Sequence, residues 1–157
     1  SKLSRLVLLA CVFITGVIAI PGLSILLNYN YQNLRGDYSD YSYYRNIVDE
    51  LPTNTVLITD SDEDTFGLWY MLYVDNVRPD IIVIAMPLLQ FNWYWEDLTK
   101  LFPKNIPKLR PEKFTDRLIS IAEYNDNQYF PVYSTYSDAI LNSHFTLNAK
   151  GSVYQLK

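Results

Sequence analysis

A long uncharged segment near the N-terminus limits what this chain can fold into. Residues 6–27 read LVLLACVFITGVIAIPGLSILL and contain no charged side chain. As an α-helix this run is about 33 Å long, enough to cross the hydrocarbon core of a bilayer. Polar and aromatic residues follow at 28–31, as is typical of the membrane–water interface. We therefore predict a transmembrane helix over residues 1–28, with the lipid bilayer as a partner.

The charges around this helix predict its orientation. Lys2 and Arg5 precede the apolar run, whereas acidic residues follow soon after it. The positive-inside rule then puts the N-terminus in the cytoplasm and the rest of the chain on the periplasmic or extracytoplasmic side of the membrane. A cleaved signal peptide has a shorter apolar core. The sequence before Cys11 resembles a lipoprotein signal, but the apolar run continues well past that cysteine.

Composition excludes several classes of protein. Of 157 residues, 49% are hydrophobic and 19% are charged, which favours one folded domain beyond the helix. The net charge of -4 gives no electrostatic reason to expect nucleic acid as a partner. Cys11 is the single cysteine and His144 the single histidine, so neither an internal disulfide nor a zinc cluster is expected.

The remaining sequence alternates between helical and strand patterns. Residues 29–45 are polar and rich in tyrosine, which predicts a juxtamembrane linker, and residues 46–157 form the predicted extracytoplasmic domain. Buried strands are predicted at 55–59, 80–85 and 131–134, and helices at 43–51, 64–73, 92–102, 112–124 and 137–142. A C-terminal hairpin is predicted from strands at 144–147 and 152–156, turning through 148–151.

This alternation predicts the α/β class. Its expected form is a small, mainly parallel sheet flanked by helices, with the hairpin added at its end. The apolar residues of 80–85 are consecutive rather than alternating, as expected for a parallel strand covered on both faces. Right-handed crossovers should join the parallel strands.

An acidic cluster follows the first predicted strand. Asp60, Asp62 and Asp64 have the spacing that opens a calcium loop, but the glycine and the closing glutamate of an EF-hand are missing. At the carboxyl end of a strand, such oxygens form a candidate site for a ligand or cation. A divalent cation is accordingly the one cofactor considered. The alternative is that these acids only cap the helix that follows.

Aromatic residues form the second candidate contact site. Trp93, Tyr94 and Trp95 follow the second strand, and Trp69 lies in the apolar helical segment 66–74. Their rings suit three roles: packing in the core, contact with the membrane interface, or stacking on a sugar. The segment 66–74 is apolar nearly all round, so its outer side is expected to meet another membrane helix or subunit.

Part of the chain resembles a known family. The residues that carry the resemblance are 62–70 (DEDTFGLWY), 77–80 (VRPD), Leu88-Leu89 and 92–94 (NWY), with weaker similarity at 145–147 and 151–156. They resemble the O-mannosyltransferase-like members of the GT-C glycosyltransferases, which are polytopic membrane proteins. The resemblance implies a C-terminal part of such a protein without its catalytic part, so no catalytic residue is assigned.

Three functions remain open. The first is a non-catalytic domain of a GT-C-like glycosyltransferase that caps the catalytic membrane part or binds acceptor, with a glycan or lipid-linked sugar as a partner. The second is a single-span structural or accessory subunit of a larger membrane complex. The third is an extracytoplasmic sensor that binds a ligand at the acidic cluster.

Overall fold

The chain divides into two compact units. The computed structural model describes residues 2–128 and 130–157, with the side chain of Leu3 left aside. Contacts group these residues into a first unit, Ser1–Asp37, and a second unit, Tyr38–Lys157. The predicted cytoplasmic location of the N-terminus concerns Ser1, which lies outside the described residues.

The first unit is one helix. Helix α1 covers Lys2–Gln32, includes Pro21, and ends four residues beyond the predicted boundary at 28. It is long and apolar enough to cross a membrane, by length and composition. Within the first unit the apolar side chains of α1 are exposed, which suits a helix that is surrounded by lipid rather than by protein. The chain is thus expected at a membrane. The next helix begins at Ser39, seven residues after Gln32.

The second unit alternates helices and strands. Helix α2 (Ser39–Glu50) leads to strand β1 (Val56–Thr59), helix α3 (Asp62–Trp69), a π-helical turn (Tyr70–Val74) and strand β2 (Ile82–Ala85). A 3₁₀ helix (Met86–Gln90), α4 (Asn92–Leu101) and α5 (Phe114–Asp126) follow. Strand β3 (Val132–Ser134), α6 (Ala139–His144), β4 (Leu147–Lys150) and β5 (Val153–Leu156) complete the unit.

The five strands form one mixed sheet. Their order is β2-β1-β3-β5-β4, and β1 lies parallel to both β2 and β3. Strands β4 and β5 form an antiparallel hairpin whose second strand pairs antiparallel with β3. The predicted α/β class, mainly parallel sheet and C-terminal hairpin are confirmed.

Helices cover both faces of the sheet. Alternate residues of β1 point to opposite faces: Leu57 packs with α2, α3 and the π-helical turn, whereas Val56 and Ile58 pack with α4, α5 and α6. All four residues of β1 are buried. This is why the strand reads as an unbroken apolar run in the sequence rather than as an alternating pattern.

Three local predictions were wrong in detail. The helix predicted at 43–51 begins at Ser39, inside the predicted linker 29–45. The predicted turn at 148–150 is part of β4, and the hairpin turns instead at Gly151 and Ser152. Gly151 has φ +56°, which glycine adopts readily at the first position of a two-residue loop. The predicted helix 64–73 is α3 followed by the π-helical turn, so its second half is more loosely wound than the sequence indicated.

A glycine lets α2 and α3 approach closely. The ring of Tyr44 lies so near Gly67 that a Cβ atom there would overlap it. The Tyr44 hydroxyl donates to the carbonyl oxygen of Glu63 at 3.1 Å. Burial, followed by the carboxylates of Asp64 and Glu63, raises the pKa of Tyr44 to about 12. Tyr44 therefore stays neutral and joins the two helices as a hydrogen-bond donor.

Arg78 and Asp80 join the turn before β2 to the end of α2. Arg78 binds Asp80 through two hydrogen bonds of 2.8 Å, and it also donates to the carbonyl oxygens of Val48 and Pro52. The carboxylate of Asp80 accepts from the backbone N–H of Asn54 at 3.0 Å. Arg78 thus satisfies carbonyl groups at the C-terminus of α2, where a helix leaves them unpaired.

This ion pair predicts a pH dependence of stability. The hydrogen bond from Arg78 lowers the pKa of Asp80 from 3.8 to about 2. A lowered pKa means that the stabilisation is complete above about pH 4 and is lost as the pH falls towards 2. Asp80→Asn should therefore cost about 1–2 kcal/mol at neutral pH, and the difference from wild type should shrink below pH 4. Urea unfolding of the full chain in detergent, followed by circular dichroism, measures both values.

The control is Asp49→Asn. Asp49 also pairs with an arginine, Arg45, at 2.9 Å, but the Asp49 side chain is 52% exposed compared with 27% for Asp80. Exposed pairs contribute little, so Asp49→Asn should change the free energy of unfolding by less than about 0.5 kcal/mol. An equal loss for the two variants would contradict the structural role given to Asp80.

Candidate functional site

Three connections meet at the carboxyl edge of the parallel strands. Asp60 follows β1, the 3₁₀ helix Met86–Gln90 follows β2, and residues 135–138 follow β3. Because the three strands are parallel neighbours, these segments lie at the same edge of the sheet. A pocket of about 380 Å³ opens there. Its lining residues are Asp60, Met86, Pro87, Gln90 and Phe114.

The structure separates the three acidic candidates. Asp60 lines the pocket, whereas the exposed Asp62 and the half-buried Asp64 lie in the first turn of α3. Ser61 caps this helix, since its hydroxyl accepts from the N–H of Asp64 at 3.0 Å. The negative charges of Asp62 and Asp64 suit the positive end of the helix dipole. Asp60 alone therefore faces a space that can hold a ligand.

A divalent cation at the acidic cluster stays a prediction. Across residues 2–128 and 130–157, no three carboxylate, thiol or imidazole groups are arranged so as to hold a metal ion. Asp60 would thus have to bind a cation together with neutral oxygens.

Hydroxyl groups beneath the acidic cluster bond to one another. The side chains of Thr59 and Thr65 are both buried, and their oxygens lie 2.6 Å apart. The hydroxyl of Thr65 also lies 2.7 Å from the carbonyl oxygen of Ser61, to which it donates. These bonds fix the turn from β1 into α3, which determines where Asp60 is held.

Tyr136 brings an unpaired hydroxyl to the same edge. Its oxygen is buried and, among the described residues, has no hydrogen-bond partner. Burial raises the pKa of Tyr136, and the carboxylates of Asp138 and Asp60 raise it further. The hydroxyl is therefore a neutral donor close to the negative charge at the pocket.

A buried arginine supports the opposite wall of the pocket. Arg117 is 4% exposed, and its five hydrogen bonds equal the five N–H donors of a guanidinium group. The acceptors are the carbonyl oxygens of Leu89, Gln90, Pro111 and Glu112 and the side-chain oxygen of Asn92. Arg117 thus holds the 3₁₀ helix, which carries Gln90, against the start of α5, which carries Phe114.

Two of the aromatic candidates close an exposed strand edge. In the parallel pairing of β1 and β2, the backbone groups of Val83 and Ala85 point away from β1. The indole N–H of Trp69 donates to the carbonyl oxygen of Val83 at 3.4 Å. The N–H of Ala85 donates to the hydroxyl oxygen of Tyr94 at 3.0 Å. These aromatic side chains therefore take the place of a further strand, which protects the edge from pairing with another chain.

The other two candidates have opposite environments. Trp95 is 2% exposed and packs in the core beneath α4. Trp93 is 53% exposed and stacks on Phe91, with ring centroids 6.1 Å apart. Trp93 also borders a groove of about 260 Å³ along the edge of β2. Only Trp93 of this pair can contact a partner in the folded domain.

Sequence reasoning missed most of the pocket wall. The sequence pattern predicts no helix or strand for residues 86–91, although Pro87 directly after an apolar strand indicates a turn. Arg117 gave a clearer signal, because it lies three residues after Phe114 and four before Ile121, on the apolar side of α5. A charge on such a stripe indicates a buried, fully hydrogen-bonded group. Tyr136 had no signal in the sequence beyond its position after a strand.

Comparison with known proteins gives the family. The family described as TMEM260-associated domain 2 matches residues 40–140. Protein O-mannosyl-transferase tmem260 of Dictyostelium discoideum is 33% identical over 88 residues, which are 56% of this chain and 11% of that protein. Protein O-mannosyl-transferase TMEM260 of Mus musculus is 25% identical over 101 residues, which cover 57% of this chain and 14% of that protein. No solved structure matches the chain significantly.

The second unit is a glycosyltransferase-related α/β domain in a chain that also carries an apolar helix. The predicted resemblance to the O-mannosyltransferase-like family is confirmed by these matches. The chain belongs to the TMEM260-associated domain 2 family. It spans only about a ninth to a seventh of the length of the two relatives.

Tyr94 offers a test of the sealed strand edge. Tyr94→Phe removes the oxygen that accepts from the N–H of Ala85 and leaves that buried donor unpaired, which should cost about 1–3 kcal/mol. Amide exchange at Ala85 should become faster, as measured by hydrogen–deuterium exchange of the full chain in detergent. Tyr70→Phe is the matched control, because Tyr70 is exposed and lies outside the edge contact. Unchanged exchange at Ala85 in Tyr94→Phe would show that this hydroxyl does not seal the edge.

Proposed function

We propose that this chain is a non-catalytic, acceptor-binding part of an O-mannosyltransferase-type membrane glycosyltransferase. The family match to residues 40–140 carries the proposal, since it lies on the α/β unit, beyond the helix α1. The two relatives are named as protein O-mannosyl-transferases, and the match covers a small share of each.

The proposed topology follows from α1 and its flanking charges. Helix α1 crosses the membrane with Lys2 and Arg5 on the cytoplasmic side. The α/β unit then lies on the extracytoplasmic side, where it covers the catalytic membrane part. Lipid-linked sugar and acceptor would both be reached from that side.

The pocket at the carboxyl edge has the chemistry of a sugar site. The carboxylate of Asp60 and the side-chain amide of Gln90 can hydrogen-bond to sugar hydroxyls. Phe114, Met86 and Pro87 supply apolar surface against which the C–H face of a hexose can lie. A volume of about 380 Å³ accommodates one hexose residue of a glycan.

The polar groups with known partners support a binding role. Ser61 caps α3, Thr59 and Thr65 bond to each other, and Arg117 holds the pocket wall. Each of these groups is engaged in shaping the pocket rather than directed at a reacting atom. Asp60 is the charged group left at the pocket surface, and it suits orientation of a hydroxyl-rich ligand.

A second candidate is a single-span accessory subunit of a membrane complex. The exposed apolar side chains of α3 and the π-helical turn favour it, because such a surface is suited to contact with another protein. In this case the chain purified in mild detergent should retain a separate polypeptide in stoichiometric amount, as determined by mass spectrometry. A chain that purifies alone would exclude this candidate.

The first prediction from the proposal is binding of a hexose. A ligand of about 13 heavy atoms at about 0.3 kcal/mol per atom gains about 4 kcal/mol, so the dissociation constant of methyl α-mannoside should be on the order of 1 mM. Asp60→Asn should weaken this binding about tenfold, because charge-assisted hydrogen bonds are lost. Titration of the full chain by NMR, in a detergent without a sugar headgroup, measures the constant.

Asp62→Asn is the matched control for this titration. It removes the same charge two residues away, in the first turn of α3 and outside the pocket, so binding should be unchanged. Calcium added in place of the sugar tests the predicted divalent cation at Asp60. Equal weakening by the two substitutions, or no shift of pocket resonances with the sugar, would contradict a hexose site.

The second prediction concerns the transfer reaction. The purified chain should not transfer mannose from a polyprenyl-phosphate donor unless the catalytic membrane part is supplied. When that part is present, Asp60→Asn should raise the KM for acceptor more than it lowers kcat, because the residue contributes to binding. Robust transfer by the chain alone would refute the proposed division of roles.

A further inference from the structure

An exposed aromatic surface borders the edge of β2. Phe66, Tyr70, Tyr73 and Val74 lie on α3 and the π-helical turn, and Phe91 and Trp93 lie at the start of α4. All six side chains are exposed. We call these six residues the aromatic rim. The rim is separate from the pocket at the carboxyl edge, whose lining residues are all different.

Four of the six rim residues are connected through Trp69 and a groove along β2. The ring of Phe66 packs against Trp69 with centroids 5.8 Å apart. Trp69, Tyr73 and Trp93 together line the groove along β2. Phe91 then stacks on Trp93. The groove thus joins the helices on one face of the sheet to α4 on the other face, and a contiguous exposed apolar patch of this kind marks a site of contact.

The first helix of the second unit lies in the layer that carries four of the six rim residues. Helix α2 is the first element of the unit, and it packs with α3 and the π-helical turn on one face of the sheet. The hydrogen bond from Tyr44 to the carbonyl oxygen of Glu63 joins α2 directly to α3. The chain from the end of α1 at Gln32 to the start of α2 at Ser39 spans at most about 25 Å when fully extended. The start of α2 is therefore tethered within about 25 Å of the end of α1.

The side chains of the rim match the chemistry of the membrane interface. Tryptophan and tyrosine combine an apolar ring with a polar group, and they favour the headgroup level of a bilayer. Segment 62–74, which forms α3 and the π-helical turn, contains no lysine or arginine. Attraction to anionic headgroups would require such basic residues. Insertion of uncharged aromatic rings therefore favours a zwitterionic lipid surface.

We propose that the aromatic rim binds the interfacial region of a lipid bilayer. This inference rests on the membrane topology of the proposed function, but not on its hexose site. Contact with lipid also accounts for exposed phenylalanine and valine side chains, which water would solvate poorly.

Quenching of tryptophan fluorescence tests the proposal. The full chain is placed in nanodiscs of phosphatidylcholine whose acyl chains are brominated close to the headgroup, and its emission is compared with that in unmodified lipid. Wild type should lose emission in the brominated lipid. Bromine near the ends of the acyl chains should quench much less, because an interfacial ring does not reach that depth.

Two substitutions in α4 show which tryptophan is quenched by the brominated lipid. Trp93→Phe removes a rim residue that is 53% exposed and should reduce the quenching clearly, with half-buried Trp69 in the same groove accounting for the remainder. Trp95→Phe removes a tryptophan that is 2% exposed and should leave the quenching in place. No quenching in wild type, or equal quenching in wild type and Trp93→Phe, would overturn the proposal.

Further readouts separate the alternative explanations. If aqueous iodide quenches Trp93 and brominated lipid does not, the rim faces water. If neither quencher acts on Trp93, a protein surface covers it, and the lipid contact is likewise refuted. If the chain does not associate with nanodiscs at all, the topology of the proposed function fails, which is distinguishable from a chain that associates but shows no quenching.

Discussion

The parallel pairing of β1 with β2 and β3 is the constraint on which the rest of the structure depends. Strand β1 lies between these neighbours and is buried on both faces, so helices must cover each face. Each parallel connection must also return across the sheet, which puts the ends of all three strands at one edge. The ion pair of Arg78 and Asp80 joins the end of α2 to the turn before β2 and thereby fixes the first of these connections.

The same edge carries the pocket for a physical reason. Parallel strands that end together leave a crevice between their connecting segments. Here Asp60, directly after β1, forms one wall, and the 3₁₀ helix after β2 forms the other. Burial of Arg117 would be costly without hydrogen bonds, and its five donors bind oxygens from the segments that form the second wall. The buried guanidinium group of Arg117 therefore shapes the pocket without lying at its surface. Asp60 is the charged side chain that faces the ligand.

The free edge of β2 shows how one set of aromatic residues serves two purposes. Trp69 and Tyr94 bind the backbone groups that β2 turns away from the sheet, so no further strand is required. Residues next to them along the chain, Tyr70 and Trp93, remain exposed. The sequence identified the aromatic segments but not this division, because adjacent residues of a helix point in different directions, and which direction meets the strand is a property of packing.

The sequence by itself determined the apolar helix, the α/β class, the three parallel strands and the hairpin, because burial and helical periodicity are local patterns of side-chain polarity. It also placed Asp60 correctly at the end of a strand. Only the tertiary structure decided that Asp60, rather than Asp62 or Asp64, faces a pocket, that Phe114 from a distant helix completes it, and that Trp95 is internal while Trp93 is exposed. These distinctions depend on which segments the crossovers bring together, and contacts between residues far apart in the chain leave no local pattern in the sequence.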